Sequence, residues 1–167
     1  LPYGAAPERW NLENPTAVRE LYRAYIEAGS DIILTNTFGG TRIRLERDGL
    51  GDKTTEINIT ASILAREVAG GKVIVFGDIG PTGSLLKPLG TLAPADALDA
   101  FSEQAAALAK GNVDAILIET MSDLEEAKIA IEGVRKVVDM PIIVTFSFDT
   151  RGLTMIGLKP ALAAHKM

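Results

Sequence analysis

A chain of 167 residues is long enough to bury one sizeable core, and a hydrophobic share of 47% beside 23% charged residues is that of an ordinary globular protein. The net charge of -5 has its signs interspersed, with no basic run for a nucleic acid or an anionic membrane, and no apolar run approaches the ~20 residues that span a bilayer. Cysteine is absent, which rules out disulfides, a thiol nucleophile and a thiolate metal site within this chain, and fits a cytoplasmic location.

Strand-like and helix-like segments alternate along the chain. The first helix is expected at Asn14-Pro15, a cap followed by proline at the first helical position, with an apolar face of Val18, Leu21, Tyr22 and Tyr25 and a stop at Gly29. The run "DIILTNTF", 31–38, reads as a buried strand. A second helix carries Ile57, Ala61, Leu64 and Val68 and ends at Gly70-Gly71, and "KVIVFGDIG", 72–80, is the second strand. A third helix follows Pro94 with Leu98, Phe101, Ala105 and Leu108. The third strand is "VDAILIET", 113–120. A fourth helix is expected from a capping box between Ser122 and Glu125, and the fourth strand is "PIIVTFSFD", 141–149. A fifth helix begins near Pro160.

Strand then helix, four times over, predicts βα units and a parallel sheet. The strands start near 31, 73, 114 and 142, which brackets the roughly 31 residues per unit of a (β/α)8 barrel. A flavodoxin-like open sheet is the competing architecture.

In either fold, chemistry belongs at the carboxyl ends of the strands. Those ends carry Thr35, Asn36, Thr37 and Phe38; then Asp78 before "IGPTG"; then Glu119 and Thr120; then Ser147 and Asp149. Asp31, Lys72 and Asp114 at the opposite ends read as solvated loop residues. A carboxylate closing a buried strand needs a partner cation. Ser122 and Asp123 already serve the next helix, so Glu119 is expected to meet a substrate ammonium group, with a structural arginine as the alternative. The glycine-rich "FGGTR" and "GDIGPTGS" could offer amides to a phosphate, but neither fits a nucleotide fingerprint. No strand end carries the lysine of a Schiff-base aldolase, and the one histidine, His165, lies near the end of the chain.

Five stretches in order, "ERWNLENP", "AGSDIILTNTFGGTRIRL", "GDIGPTGSLLKPLGTL", "DAILIETMSDLEEAKIA" and "PIIVTFSFDTRGLTMIG", resemble the homocysteine S-methyltransferase family, and within it the homocysteine-binding module of cobalamin-dependent methionine synthases. The resemblance implies a (β/α)8 TIM barrel, of which about four βα units, family strands two to five, fall within 1–167. It implies homocysteine as partner, its thiol activated by zinc for attack on a methyl donor. Glu119 matches the family glutamate that holds the amino group, and Thr37 a substrate-contacting position with Asn36 and Phe38 beside it. Asp78 stands where relatives often have serine. Thr120 and Ser147 are further rim contacts. No catalytic residue and no metal ligand is assigned within this chain. The family's first strand, with its acidic ligand, and its zinc cysteines are expected outside 1–167, so the chain alone is expected to be inactive. The donor is open, methylcobalamin held by other domains being one option. Four strands cannot close an eight-stranded barrel. Two other readings therefore stand beside this one: a non-catalytic fragment that forms a homo-oligomer through its open edges, and a barrel enzyme acting on a phosphorylated small molecule.

Overall fold

The computed structural model describes residues 4–149 and 151–167. A 3-10 turn at Pro7–Arg9 leads into α1 (Trp10–Glu13) and α2 (Pro15–Glu27), and β1 (Ile32–Leu34) follows. Beyond β1 the chain makes α3 (Arg42–Leu45) and two 3-10 turns, Glu46–Asp48 and Gly51–Lys53, before α4 (Thr54–Ala69). Then come β2 (Ile74–Ile79), α5 (Pro94–Lys110), β3 (Ala115–Met121), α6 (Leu124–Val137), β4 (Ile142–Phe146) and α7 (Pro160–Lys166).

The four strands form one parallel sheet in the order β1-β2-β3-β4. Sequential order without a reversal is the signature of an arc of barrel, because a doubly wound sheet reverses direction at a switch point. The helices agree. α2 packs on α4, α4 on α5 and α5 on α6, in succession. Val75, Ile79, Ile116 and Ile118 point at these helices and are fully buried, whereas Ile32 and Ile74 on the opposite face are more than two-fifths exposed. Helices on one face only, over consecutive parallel strands, make a partial (β/α)8 barrel whose concave side is open.

Several boundaries differ from the sequence reading, each for a local reason. β1 is three residues long, because the Thr37 amide turns back to the Thr35 carbonyl at 2.8 Å. Asn14 caps α2 as expected, its side chain accepting from the Ala17 amide. The cap of α6 is Asp123 and not Ser122: Asp123 is the last extended residue, and its carboxylate accepts from the Glu125 amide at 2.8 Å. Only Val18 and Tyr22 of the α2 stripe are buried; Leu21 and Tyr25 are more than half exposed beside the free edge of β1. Asp114 is not merely solvated, since it accepts from the Val75 amide and pairs with Arg66.

Candidate functional site at the carboxyl rim

Alternation along β2 decides where its acid points. Gly77 faces the helices, where an added Cβ would meet Ile116 and Leu108 at 3.0–3.3 Å, and Ile79 is buried on the same side. Asp78 between them therefore faces the concave side. Its backbone is held three times: the amide donates to Thr35 Oγ1 at 2.9 Å, and the carbonyl accepts from Thr37 Oγ1 at 2.7 Å and from Gln104 Nε2 at 3.2 Å. Its carboxyl is treated oppositely. The side chain is buried at 4% exposure, and among the described residues Oδ1 has no hydrogen-bond partner. Burial, and then the negative charges of Glu119 and Glu8, push its pKa from 3.8 up to about 8.

This shift has a thermodynamic consequence. An aspartate whose folded pKa exceeds its unfolded one holds its proton longer in the native state, so between about pH 4 and pH 8 the unfolded chain binds fewer protons. Stability is expected to fall as pH rises through that window. Asp78→Asn is expected to flatten the slope, which thermal melts of both proteins from pH 4 to pH 8 will measure.

Glu119 lies on β3 beside β2. Asp78 pairs in register with Leu117, so Glu119 is the next residue up on the concave face. It is half-buried, and none of the ion pairs among the described residues involves it. The strand is irregular at this point. Its register with β4 shifts between Ile118 and Met121, and Thr120 has φ +60°. A β-branched residue rarely takes that conformation, and left-handed backbone costs about 1–2 kcal/mol. The Thr120 amide donates to Thr145 Oγ1 at 3.1 Å, which anchors the distortion to β4. Thr120→Gly is expected to hold or raise stability by up to about 1 kcal/mol in urea titration, whereas the same change in a regular strand destabilises.

The remaining sequence candidates fall into two groups. Asn36 and Thr37 are committed to the scaffold. Asn36 Nδ2 donates to the Pro7 carbonyl and to Asn11 Oδ1, and its amide donates to the Tyr22 hydroxyl. Thr37 is fully buried, with its hydroxyl on the Asp78 carbonyl and 2.6 Å from Thr35 Oγ1. Thr37→Val is expected to cost about 1–2 kcal/mol, read as a lower midpoint in chemical unfolding, because it strips a buried carbonyl of one donor. Phe38 lies under the Arg44 guanidinium, 5.5 Å from ring centre to Cζ, and its carbonyl accepts from the Gly80 amide. Thr120 and Ser147 are exposed at the rim.

Four residues that support the rim have no periodic signal in the sequence. Glu8 is buried, accepts from the Gly39 amide, and has its pKa raised by burial. Glu126 on α6 is buried too and grips Thr82 through both its amide (2.8 Å) and its hydroxyl (2.6 Å). Gln104 on α5 reaches the Thr37 and Asp78 carbonyls together. Asn11 bridges to the backbone of Asn36. For Glu8 and Asn11 the only sequence signal was their place in "ERWN".

The same contacts bear on the glycine-rich loops. The amides of Gly39, Gly40, Gly80 and Thr82 donate to Glu8, Thr37, Phe38 and Glu126 respectively. Four amides already spent within the chain leave little of a phosphate cradle. What the rim does offer is acid without counter-charge: a half-buried carboxylate at Glu119 and an orphaned, buried carboxyl at Asp78. That arrangement suits a small organic cation. Among the described residues no three of His, Cys, Asp or Glu converge as a metal site.

An arc of parallel βα units with acidic groups gathered at its carboxyl rim places the chain among the (β/α)8-barrel proteins. The family model for homocysteine S-methyltransferase matches residues 5–167, and the chain belongs to that family. It is 32% identical over 167 residues to the methionine synthase of Mycobacterium leprae (strain TN), and 32% over 158 residues to that of Mycobacterium tuberculosis (strain ATCC 25618 / H37Rv). These alignments cover 92% and 88% of the chain but only 14% and 13% of the relatives, so the chain spans about one-seventh of their length. Among solved structures, the metallated form of the homocysteine methyltransferase MmuM from Escherichia coli superposes with a TM-score of 0.81 at 18% identity, covering 95% of this chain and 60% of that one. At that identity the likeness speaks for the fold.

Proposed function

We propose that this chain is the substrate-amino-group half of a homocysteine-binding barrel domain, in a parent protein that transfers a methyl group to the homocysteine thiol to give methionine. Residues 1–167 make up that partial domain, and the chain alone lacks the parts needed for turnover. The observation that carries the reading is Glu119: a carboxylate on the open concave face, at the carboxyl end of its strand, with no lysine or arginine paired to it among the described residues. Family membership supports homocysteine as the ligand. Asp78 stands behind Glu119, while Asn36, Thr37 and Phe38 fix the loop above it, and Thr120 and Ser147 border the opening. A cytoplasmic location belongs to the same reading.

Zinc does not fit the residues present. There is no cysteine, and among the described residues no donor cluster forms. Its ligands, and the site of a donor such as methylcobalamin, belong to the parent outside this chain. The test is calorimetry of the protein with L-homocysteine and with 4-mercaptobutanoate, which keeps the thiol and carboxylate but lacks the amino group. Selective binding of homocysteine is expected; equal affinities would show that Glu119 holds no ammonium group.

A second reading has its own support in the open edges. Beside β1 lies a cleft of about 430 Å³ lined by Leu21, Tyr22, Tyr25 and Ile32, and beside β4 one of about 440 Å³ lined by Ile142, Val144, Phe146 and Met167. Unpaired parallel edges flanked by apolar side chains associate. Sedimentation is expected to show mass rising with concentration, and Tyr25→Lys to weaken it. A monomer at every concentration would end this reading without touching the first.

A further inference from the structure

We propose that Asp78 is the second arm of the ammonium site, so that an amino-acid ammonium group docks between its carboxyl and that of Glu119. The inference rests on the reading of Glu119 as the amino-group ligand and adds a partner and a proton to it.

Asp78 and Glu119 sit on neighbouring strands, on one face, one step apart diagonally. Such neighbours stand roughly 7 Å apart at Cβ. One ammonium group, with three donors, can bridge carboxylates projecting into that gap. Asp78 is also the more deeply buried of the two, and Oδ1 lacks a donor among the described residues. A native protein rarely leaves a buried oxygen without a partner unless something else supplies it.

The charges around it complete the argument. Glu119 faces Asp78 from β3, Glu8 from the first 3-10 turn, and Tyr22 from α2; among the described residues no lysine or arginine acts on it. The Tyr22 hydroxyl is itself held protonated, first by burial. A bare carboxylate in that setting is unstable, so Asp78 keeps its proton up to about pH 8. An arriving ammonium supplies the missing positive charge. The exchange balances: the neutral carboxyl and R–NH3+ become carboxylate paired with R–NH3+, and one proton leaves to solvent.

The test uses L-methionine, which carries the same ammonium group and whose sulfur has no proton to lose. Calorimetry at pH 7 in phosphate and in Tris is expected to report release of close to one proton per ligand. Affinity is expected to rise nearly tenfold per pH unit from pH 6 towards pH 8 and then level. Asp78→Asn is expected to release none and to lose the pH slope. Binding with a flat profile and no proton release would overturn the role of Asp78 while leaving Glu119 in place. Failure of L-methionine to bind, or equal binding of 4-(methylthio)butanoate, would overturn the ammonium site and this inference with it. A measurement without ligand stands apart from both: carbon NMR of the Asp78 carboxyl is expected to give a midpoint near pH 8, and a midpoint below about 5 would overturn the proposal by itself.

Discussion

Glu119→Gln is expected to weaken binding of L-homocysteine by roughly 30–150-fold, with the melting temperature nearly unchanged. The substitution keeps the size of the side chain and removes its charge. A hydrogen bond to a charged group contributes about 1.5–3 kcal/mol, and the upper two-thirds of that span, fitting a half-buried carboxylate, is that range of affinity. The fold should tolerate the change because Glu119 takes part in no internal ion pair among the described residues. Removing one of two neighbouring negative charges also relieves Asp78. Titration calorimetry on both proteins decides the matter. Unchanged affinity would show that the carboxylate points at nothing that matters to the ligand, and a large loss of stability would show that it serves the scaffold instead.

Phe101→Ala is expected to destabilise the protein by about 3–5 kcal/mol. Phe101 is fully buried at the centre of α5, inside the cluster formed by Ile79, Leu108, Ile116, Ile118 and Val134. The size of the loss depends on whether neighbours can collapse into the space. Here α6 is already as close as it can come. A Cβ on Gly133 would lie 3.0 Å from the Leu98 carbonyl and 3.1 Å from Phe101 Cβ. The helices touch backbone to backbone there, so the cavity stays open. With a shift of about 2–4 °C per kcal/mol for a chain of this size, the melting temperature should drop by roughly 6–20 °C. A drop of only a degree or two would mean that the α5–α6 layer repacks freely.

Much of the fold was legible because its signals are local. Four near-continuous apolar runs became four parallel strands, and Asn14-Pro15, Pro94 and Pro160 marked helix starts where the chain does begin α2, α5 and α7. The acid at the end of the third strand was legible for the same reason, since Glu119 interrupts an apolar run. Less legible were contacts that join distant elements. Gln104 reads as one polar residue on an otherwise ordinary helix, yet it ties α5 to the rim of both β1 and β2. Glu126 reads as a first-turn acid and instead clamps the loop at Thr82, 44 residues away.

The order of elements, the βα rhythm and the family could all be read along the chain, because periodicity, capping residues and motif order are properties of neighbours in sequence. Which carboxyl is buried could not. The strand pattern points to Glu119 as the poorly solvated acid, whereas of the two acids on the strands' concave face Asp78 is the buried one, with Glu119 half-exposed above it. Solvation of a side chain is set by what packs over it from other strands and helices. For Asp78 those neighbours come from β3, α2 and the first turn, and nothing in the residues adjacent to it in the chain encodes them.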